Sequence, residues 1–306
     1  MNIASGLPVA GVSVDLVSDF RQLTAFPFMV NALEAGAVVA VMAGVGGWFM
    51  VLRRESFAGH TLSVMAFPGA AGALLLGLPV VVGYFAFCAA CALVIGGAGG
   101  AGAWGRRGER SALTGVVQAF GLACGFVFLS LYRGVLGGYE GLLFGDFLGI
   151  TRGQILALLI ACVLALGFFA IVGRPLLFAS IDEPVASARG VPVRRLSLAF
   201  LVVLGLAVAA TAQITGALLV FALLVAPAAT AQVITTKIGA SLVLTVVLGT
   251  AITWVGLALA YFSNYPVGFY ITALAFGVYA VARIARGVID HPRRLGSRGH
   301  AAGAAV

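Results

Sequence analysis

The sequence predicts an all-α, polytopic helical membrane protein with about eight or nine transmembrane helices. Of its 306 residues, 62% are hydrophobic and only 9% are charged, whereas soluble domains have roughly 45–50% apolar and about 25% charged residues. Apolar runs of about 18 or more residues recur along the chain, and each could cross a bilayer as a helix. In hydrocarbon the backbone must be hydrogen-bonded within the protein, which restricts membrane spans to helices or closed barrels. Barrel strands have only about 10 residues, so these runs predict helices.

The apolar runs, taken in order, locate the predicted helices and the organisation of the chain. They cover approximately residues 27–52, 60–77, 79–99, 111–132, 153–173, 196–213, 215–234, 239–262 and 267–285. Short polar or turn-forming breaks separate them, as Arg53-Arg54 does after the first run and Gly77-Leu78-Pro79 does between the second and the third. We therefore expect a transmembrane domain over residues 26–286. A short N-terminal segment, 1–25, precedes it, and a disordered basic tail, 287–306, follows it.

The basic residues between these runs are distributed unequally over the two sides of the membrane. If the sides alternate from helix to helix, one side receives Arg53, Arg54, Arg106, Arg107, Arg110, Arg174, Arg189, Arg194, Arg195, Lys237 and the arginines from Arg283 onward. The other side receives Arg21, Arg133 and Arg152. Because positive charge is retained in the cytoplasm, this asymmetry predicts an outside N-terminus and a cytoplasmic C-terminus.

The net charge of +8 does not indicate nucleic-acid binding. The basic residues lie between apolar runs or in the tail, and the aromatic residues lie mainly inside the runs. All four cysteines also fall inside apolar runs. Cys88 and Cys91 have the spacing of a redox or metal motif but lack a second pair, so burial as small hydrophobic side chains is favoured.

One charged segment interrupts the apolar sequence on the predicted cytoplasmic side. Residues 181–190 read IDEPVASARG and lie in the longest internal break between apolar runs. Pro175 and Pro192 flank the segment, and proline disfavours helix in the residue before it. We therefore expect a short helix along the membrane face, within about residues 175–195 of the chain.

Proline also occurs inside two of the predicted spans. Pro68-Gly69 lies in the second span and Pro227 lies in the seventh. Broken helices line cavities in many transporters, but an isolated proline can also be a tolerated kink. Both alternatives remain open at these positions.

Glu34 is the only acidic residue that the sequence places inside a predicted span. An intramembrane carboxylate is by default a functional-site hypothesis. Glu34 could attract a cation at the outer mouth, pair with Gln118 or Gln213, or serve as the protonatable group of an ion-coupled secondary carrier. Its position, about two turns into the first span, is too far from His60 for the two residues to share one metal ion.

An ordered set of short motifs carries a family resemblance over approximately residues 26–285. The motifs are Phe28-Met29-x-x-Ala32, Val51-Leu52-Arg53-Arg54-x-Ser56-Phe57-x-Gly59, Phe67-Pro68-Gly69, Leu143-Phe144-Gly145-x-x-Leu148-Gly149, Ile181-Asp182-Glu183-x-x-Ala186-x-Ala188-x-Gly190, Thr215-Gly216-Ala217-Leu218-Leu219-Val220-x-Ala222-Leu223-Leu224-Val225-x-Pro227-Ala228-Ala229-Thr230-Ala231 and Pro266-Val267-Gly268. Together they resemble the permease subunits of metal-ion ABC importers, the ABC-3 family.

The resemblance implies a type II ABC importer-like permease of the bacterial plasma membrane that dimerises with a second copy. Two cytoplasmic ATPase subunits and an extracytoplasmic solute-binding protein are the implied partners, and a divalent transition metal, zinc or manganese, is the implied substrate. The ATPase coupling residues would be Ile181, Asp182, Glu183, Ala186, Ala188 and Gly190, and the pathway or kink residues Pro68, Gly69 and Pro227.

The chain itself has no sequence for ATP chemistry. A phosphate-binding loop requires a lysine followed by serine or threonine, and the only lysine, Lys237, is followed by Ile238. We therefore expect a transport subunit that is not an enzyme, binds no cofactor and depends on a separate ATPase.

The sequence departs from the family at the start of the second span. Family members carry Asp and His four residues apart, which places two metal ligands on one helical face. The corresponding positions here are His60 and Val64. His60 could ligate a metal through its imidazole, or it could cap the helix or contact an interfacial partner. The departure also admits a family member adapted to a non-metal substrate.

Overall fold

The computed structural model describes residues 25–97, 107–132, 149–263 and 265–303, together with Arg21, Leu23 and Gly145. The described residues form ten helices and no strand. The helices are α1 Pro27–Leu52, α2 Ser56–Leu75, α3 Val80–Gly97, α4 Arg107–Leu131, α5 Arg152–Ile181, α6 Glu183–Ala188, α7 Val193–Thr215, α8 Ala217–Ile234, α9 Ile238–Tyr261 and α10 Val267–Gly303. The predicted all-α class is confirmed.

Each of the nine apolar runs corresponds to one long helix. Within the described part of the chain, eight helices are long and apolar enough to cross a membrane. The ninth, α8, has the shorter apolar stretch Leu219–Ile234. The remaining helix, α6, is the short element expected between the fifth and sixth runs. The predicted polytopic architecture of eight to nine spans is therefore confirmed.

Two predicted boundaries differ from the structure. Helix α5 does not end before Pro175 but continues through it to Ile181. Proline removes one backbone donor, and a packed membrane helix can tolerate that loss. With 30 residues, α5 is about 45 Å long, so it exceeds the hydrocarbon core, which is about 30 Å thick.

The C-terminal tail is the second difference. The backbone of α10 continues as a helix to Gly303, whereas the sequence predicted disorder from residue 287. Three arginines and two alanines in residues 287–303 are good helix formers, whereas the four glycines and Pro292 of the same stretch are not. The predicted N-terminal segment, 1–25, lies outside the described residues except for Arg21, Leu23 and Ala25.

Helices α1 and α2 occupy the centre of the bundle. Helix α2 packs on α3, α4, α7 and α8, while α1 packs on α5, α7, α8 and α9. Helix α4 lies outside α2, and α10 lies outside α8 and α9. Apolar side chains from both central helices belong to one continuous hydrophobic core. Between them, α1 and α2 therefore contact most of the other helices directly.

Glycines in the central helices permit close backbone contact. A Cβ atom at Gly47 of α1 would collide with the carbonyl oxygen of Leu224 in α8. Gly69 and Gly83 bring α2 and α3 equally close, because a Cβ on either would meet the other's carbonyl group. These contacts are of the small-residue type that stabilises helix pairs in membranes.

Candidate functional site

Helix α6 begins with a side-chain cap that fixes its first turn. The Asp182 carboxylate accepts a hydrogen bond of 3.0 Å from the backbone N–H of Val185. A side-chain oxygen at this position satisfies an N–H that has no partner within the helix. Pro184 lies in the same turn, where its fixed φ suits a helix and its missing N–H costs nothing. Residues 182–185 therefore define where the helix starts.

The C-terminus of α6 is closed by backbone hydrogen bonds around Gly190. The Gly190 N–H donates to the Ser187 carbonyl at 3.0 Å, and the Val191 N–H donates to the Ala186 carbonyl at 3.1 Å. Gly190 has a φ of 82°, a left-handed conformation that glycine adopts without strain. This pair of bonds is a Schellman motif. Both ends of a six-residue helix are thus fixed by local sequence.

Helix α6 is anchored on one side and exposed on the other. The Ala186 side chain is completely buried, whereas Ile181 is 68% exposed. Asp182, Glu183, Ala188 and Gly190 are exposed as well. The six predicted coupling residues are therefore brought together: one holds the helix to the protein, and five lie at an accessible surface. The arrangement is a capped, charged projection between α5 and α7.

Arg53 is a residue whose position the sequence reasoning missed. It follows α1, its side chain is only 7% exposed, and it forms an ion pair with Glu55. Its guanidinium group also reaches Ser180 of α5 and Ser197 of α7. These two helices flank α6. The cytoplasmic charge bias indicated that an arginine lies here, but no spacing pattern indicated that it is buried between helices.

His60 lies in the first turns of α2, in contact with α8. It is the only residue within 58–73 that is not buried. Its ring packs edge-on against Phe221, with centroids 4.6 Å apart. Its Nδ1 atom is buried without a hydrogen-bond partner, so this nitrogen is not committed to another group. Val64, one turn further, is buried and supplies no ligand.

Glu34 lies on the exposed side of α1. Neither glutamine considered as a partner bonds to it: the Oε1 of Gln118 accepts from Thr61 at 2.8 Å, and the Nε2 of Gln213 donates to the Ala209 carbonyl. Residues Val30, Ala37 and Val38, on the same side of the helix, are only partly buried. The structure therefore places the carboxylate on an open stripe of α1, apart from both glutamines.

Asn31, one helical turn before Glu34, is another polar residue that the sequence reasoning missed. Its Nδ2 donates to the Ile150 carbonyl at 3.0 Å, which fixes the amide, and its Oδ1 is buried without a partner. Residues three apart share a helical face, so two oxygen-bearing side chains follow one another here. The i, i+3 spacing was the only available signal.

Glu34 and His60 are far apart along the bundle. Glu34 lies 18 positions before the end of α1, and His60 lies four positions after the start of α2. With a rise of about 1.5 Å per residue, the two side chains differ by about 20 Å in depth. The described residues contain no cluster of three or more His, Cys, Asp or Glu side chains that could hold a metal ion. In the part of the chain that the structure describes, Glu34 and His60 are therefore separate polar positions.

The prolines do not interrupt their helices. Helix α2 is continuous through Pro68 and α8 is continuous through Pro227, and both residues are buried. Gly69 packs against the backbone of Gly83. The sequence left two alternatives open at these prolines, a broken helix that lines a cavity and a tolerated kink. The unbroken helices agree with the second alternative. A role of Pro68, Gly69 and Pro227 in the transport path stays a prediction.

Comparisons with known proteins agree with this architecture. Residues 25–286 match the ABC 3 transport family. The chain is 28% identical over 260 residues to the manganese transport system membrane protein MntC of Listeria innocua, covering 85% of this chain and 91% of the relative. It is 27% identical over 259 residues to the chelated iron transport system membrane protein YfeC of Yersinia pestis, covering 84% and 86%.

Solved structures show the same fold. PsaBC from Streptococcus pneumoniae, determined in complex with a Fab, has a TM-score of 0.76 at 27% identity, covering 88% of this chain and 95% of that one. A metal-chelate type ABC transporter in an inward-facing conformation has a TM-score of 0.70, covering 90% and 91%, but at 16% identity the likeness concerns the fold alone. The family match spans nearly all of the helical domain, and the chain belongs to the ABC 3 transport family.

Proposed function

We propose that the chain is the membrane-spanning permease subunit of an ATP-driven importer for a divalent transition metal. The observation that carries the proposal is the capped, exposed helix α6, which projects between two long membrane helices. Such an element can transmit the closure of a partner as a rigid-body movement. The family membership and the absence of a phosphate-binding sequence support an ATPase on a separate chain.

Manganese is the substrate that we favour, with iron next and zinc after it. Relatives in the family are named for manganese and chelated iron transport. The exposed carboxylate of Glu34 and the uncommitted amide oxygen of Asn31 are hard oxygen donors, which suit manganese, whereas zinc prefers nitrogen and sulfur. A single imidazole at His60 completes the set of candidate contacts along the path.

The proposed arrangement of partners follows the charge distribution. The ATPase subunits dock in the cytoplasm on Ile181, Asp182, Glu183, Ala188 and Gly190 of the α6 surface. A solute-binding protein delivers the metal on the opposite side, where residues 1–25 lie, and the tail lies in the cytoplasm. Two copies of the chain form the permease in a bacterial plasma membrane, so that the path can open alternately to either side.

Within this scheme, His60 and Glu34 contact the metal transiently at different depths. An ionised carboxylate facing lipid would be costly, which favours a water-filled path or a protein interface beside Glu34. His60 presents an uncommitted nitrogen within residues 58–73 of α2, which are otherwise buried. Weak, separated contacts allow a cation to enter and to leave again, as transport requires.

The test is metal uptake by the purified chain reconstituted in vesicles with its ATPase and solute-binding protein. We expect Mn²⁺ uptake that requires ATP on the side of the membrane that carries the ATPase. This uptake should persist when the proton gradient is collapsed. Glu34→Gln and His60→Ala should each reduce the uptake rate severalfold, whereas Glu34→Asp, which keeps the carboxylate, should retain most of it. Unchanged uptake in His60→Ala would remove this residue from the path.

The exposed Glu34 carboxylate also supports a second candidate, an ion-coupled secondary carrier. Such a carrier would transport without an ATPase, and its uptake would collapse with the proton gradient. Vesicles that contain the permease alone decide between the two mechanisms.

The Val64 departure supports a third candidate, a permease of this family for a non-metal substrate. In that case the solute-binding protein would stimulate ATP hydrolysis when it carries the non-metal substrate but not when it carries Mn²⁺.

A further inference from the structure

We propose that Arg53 is a positioning residue that links the two helices supporting α6 to the start of α2. This inference rests on the proposed function and extends it from the docking surface to the path by which movement reaches the membrane helices. The linkage consists of Arg53, Glu55, Ser180, Ser197 and Phe200, which we call the Arg53 junction.

The guanidinium group of Arg53 contacts both helices that flank α6. Its Nη1 donates to the Ser180 hydroxyl at 3.3 Å, and its Nη2 donates to the Ser197 hydroxyl at 2.6 Å. Ser180 lies in the last turn of α5, and Ser197 lies in the first turns of α7. One side chain thus joins the end of the helix before α6 to the beginning of the helix after it.

The same guanidinium group is held from two further sides. Nη2 also donates to the Glu55 carboxylate at 3.0 Å, and the cation lies over the Phe200 ring of α7, 5.2 Å from its centre. The planar fork of arginine can serve several acceptors and an aromatic face at once, which a lysine ammonium cannot do in this geometry. The junction therefore depends on the shape of arginine as well as on its charge.

Glu55 connects the junction to α2. It directly precedes Ser56, the first residue of the helix, and its backbone N–H bonds to the Met50 carbonyl of α1. His60 follows within about one turn and a half. A displacement of α5 and α7 by a docked ATPase would thus act through Arg53 and Glu55 on the end of α2 that carries His60.

Unused hydrogen-bonding groups indicate that the junction can change partners. The Nε of Arg53 and the Oε2 of Glu55 are buried without partners. The Ser180 hydroxyl donates to the Leu176 carbonyl while it accepts from Arg53, so it keeps a bond of its own if the arginine moves. A small shift of α5 against α7 could therefore exchange contacts without leaving the cation unpaired.

Arg54 provides a matched control in the same turn. It carries the same charge one residue later, but it is exposed. The experiment compares Arg53→Lys with Arg54→Lys in the full complex, reconstituted with its ATPase and solute-binding protein. Mn²⁺ uptake and ATP hydrolysis are measured in the same vesicles. We expect Arg53→Lys to retain ATP hydrolysis while uptake per ATP falls at least tenfold, and Arg54→Lys to match the wild type.

A merely structural role would change the amount of assembled complex but not the uptake per ATP of the complex that forms. An unchanged ratio in Arg53→Lys therefore overturns the inference. If this variant does not assemble, Ser197→Ala removes the shortest bond of the junction at a smaller perturbation. A reduced ratio in that variant supports the inference, and a wild-type ratio overturns it. Absence of ATP-dependent uptake in the wild type would instead overturn the proposed function.

Discussion

Replacing Asp182 by alanine is expected to weaken docking of the ATPase by destabilising α6. The substitution removes the 3.0 Å hydrogen bond from the Val185 N–H to the Asp182 carboxylate. Loss of an N-cap costs about 1 kcal/mol, which lowers the ratio of formed to unformed helix about fivefold. A six-residue helix cannot offset this loss by its own length, because isolated helices of fewer than about 12 residues are marginal.

The assay is binding of the ATPase to the purified permease, followed by uptake in vesicles. When the binding-competent conformation is less populated, the apparent Kd rises in proportion, so we expect an increase of up to about fivefold in Asp182→Ala. Asp182→Asn is the matched control, because asparagine caps as well as aspartate but carries no charge. It should bind nearly as the wild type does.

Two outcomes would refute this reasoning. Equal losses in Asp182→Asn and Asp182→Ala would show that the ATPase recognises the charge of Asp182 and that the cap is irrelevant. Wild-type binding in Asp182→Ala would show that the conformation of α6 does not depend on the cap. Circular dichroism and the melting temperature of both variants confirm that the membrane domain is unchanged.

Two further predictions concern the helix contacts. Gly47→Ala should lower the melting temperature by several degrees, since overpacking against a backbone carbonyl costs about 1–3 kcal/mol. Gly97→Ala, whose new methyl group would meet open space, should leave the melting temperature unchanged. Equal melting temperatures of the two variants would contradict the close contact of α1 with α8. Trp48→Phe removes a buried 2.9 Å bond to the Ser241 hydroxyl and should cost about 1 kcal/mol. Trp254→Phe, at an exposed position, should lower the stability measured by thermal denaturation by less than Trp48→Phe does. A larger loss in Trp254→Phe would refute the buried bond between Trp48 and Ser241.

The membrane architecture could be predicted because hydrocarbon imposes one simple requirement on each span. A stretch of sufficient length and apolarity must be helical whatever it packs against, so the runs alone located all nine long helices. The same reasoning failed at Pro175, because a helix interior that is packed and lipid-facing can accommodate a missing backbone donor. The local preference of proline predicted a helix boundary there, but α5 continues through Pro175 to Ile181.

The candidate site likewise contains residues that the sequence identified and one that it did not. Asp182, Pro184 and Gly190 specify the caps of α6 within ten residues, and those local signals were present in the sequence. Glu34 was identified because a carboxylate in an apolar run is conspicuous. Its neighbour Asn31 was missed, because the bond that fixes its amide goes to Ile150, 119 positions away.

The sequence by itself determined the number of long helices, their apolar lengths, the charge asymmetry and the local structure of α6. Each follows from residues close together in the chain and from the requirements of a bilayer. Only the tertiary structure decided that Arg53 is buried between α5 and α7, with partners 127 and 144 positions away. No periodicity encodes such contacts, because they depend on which helices lie side by side.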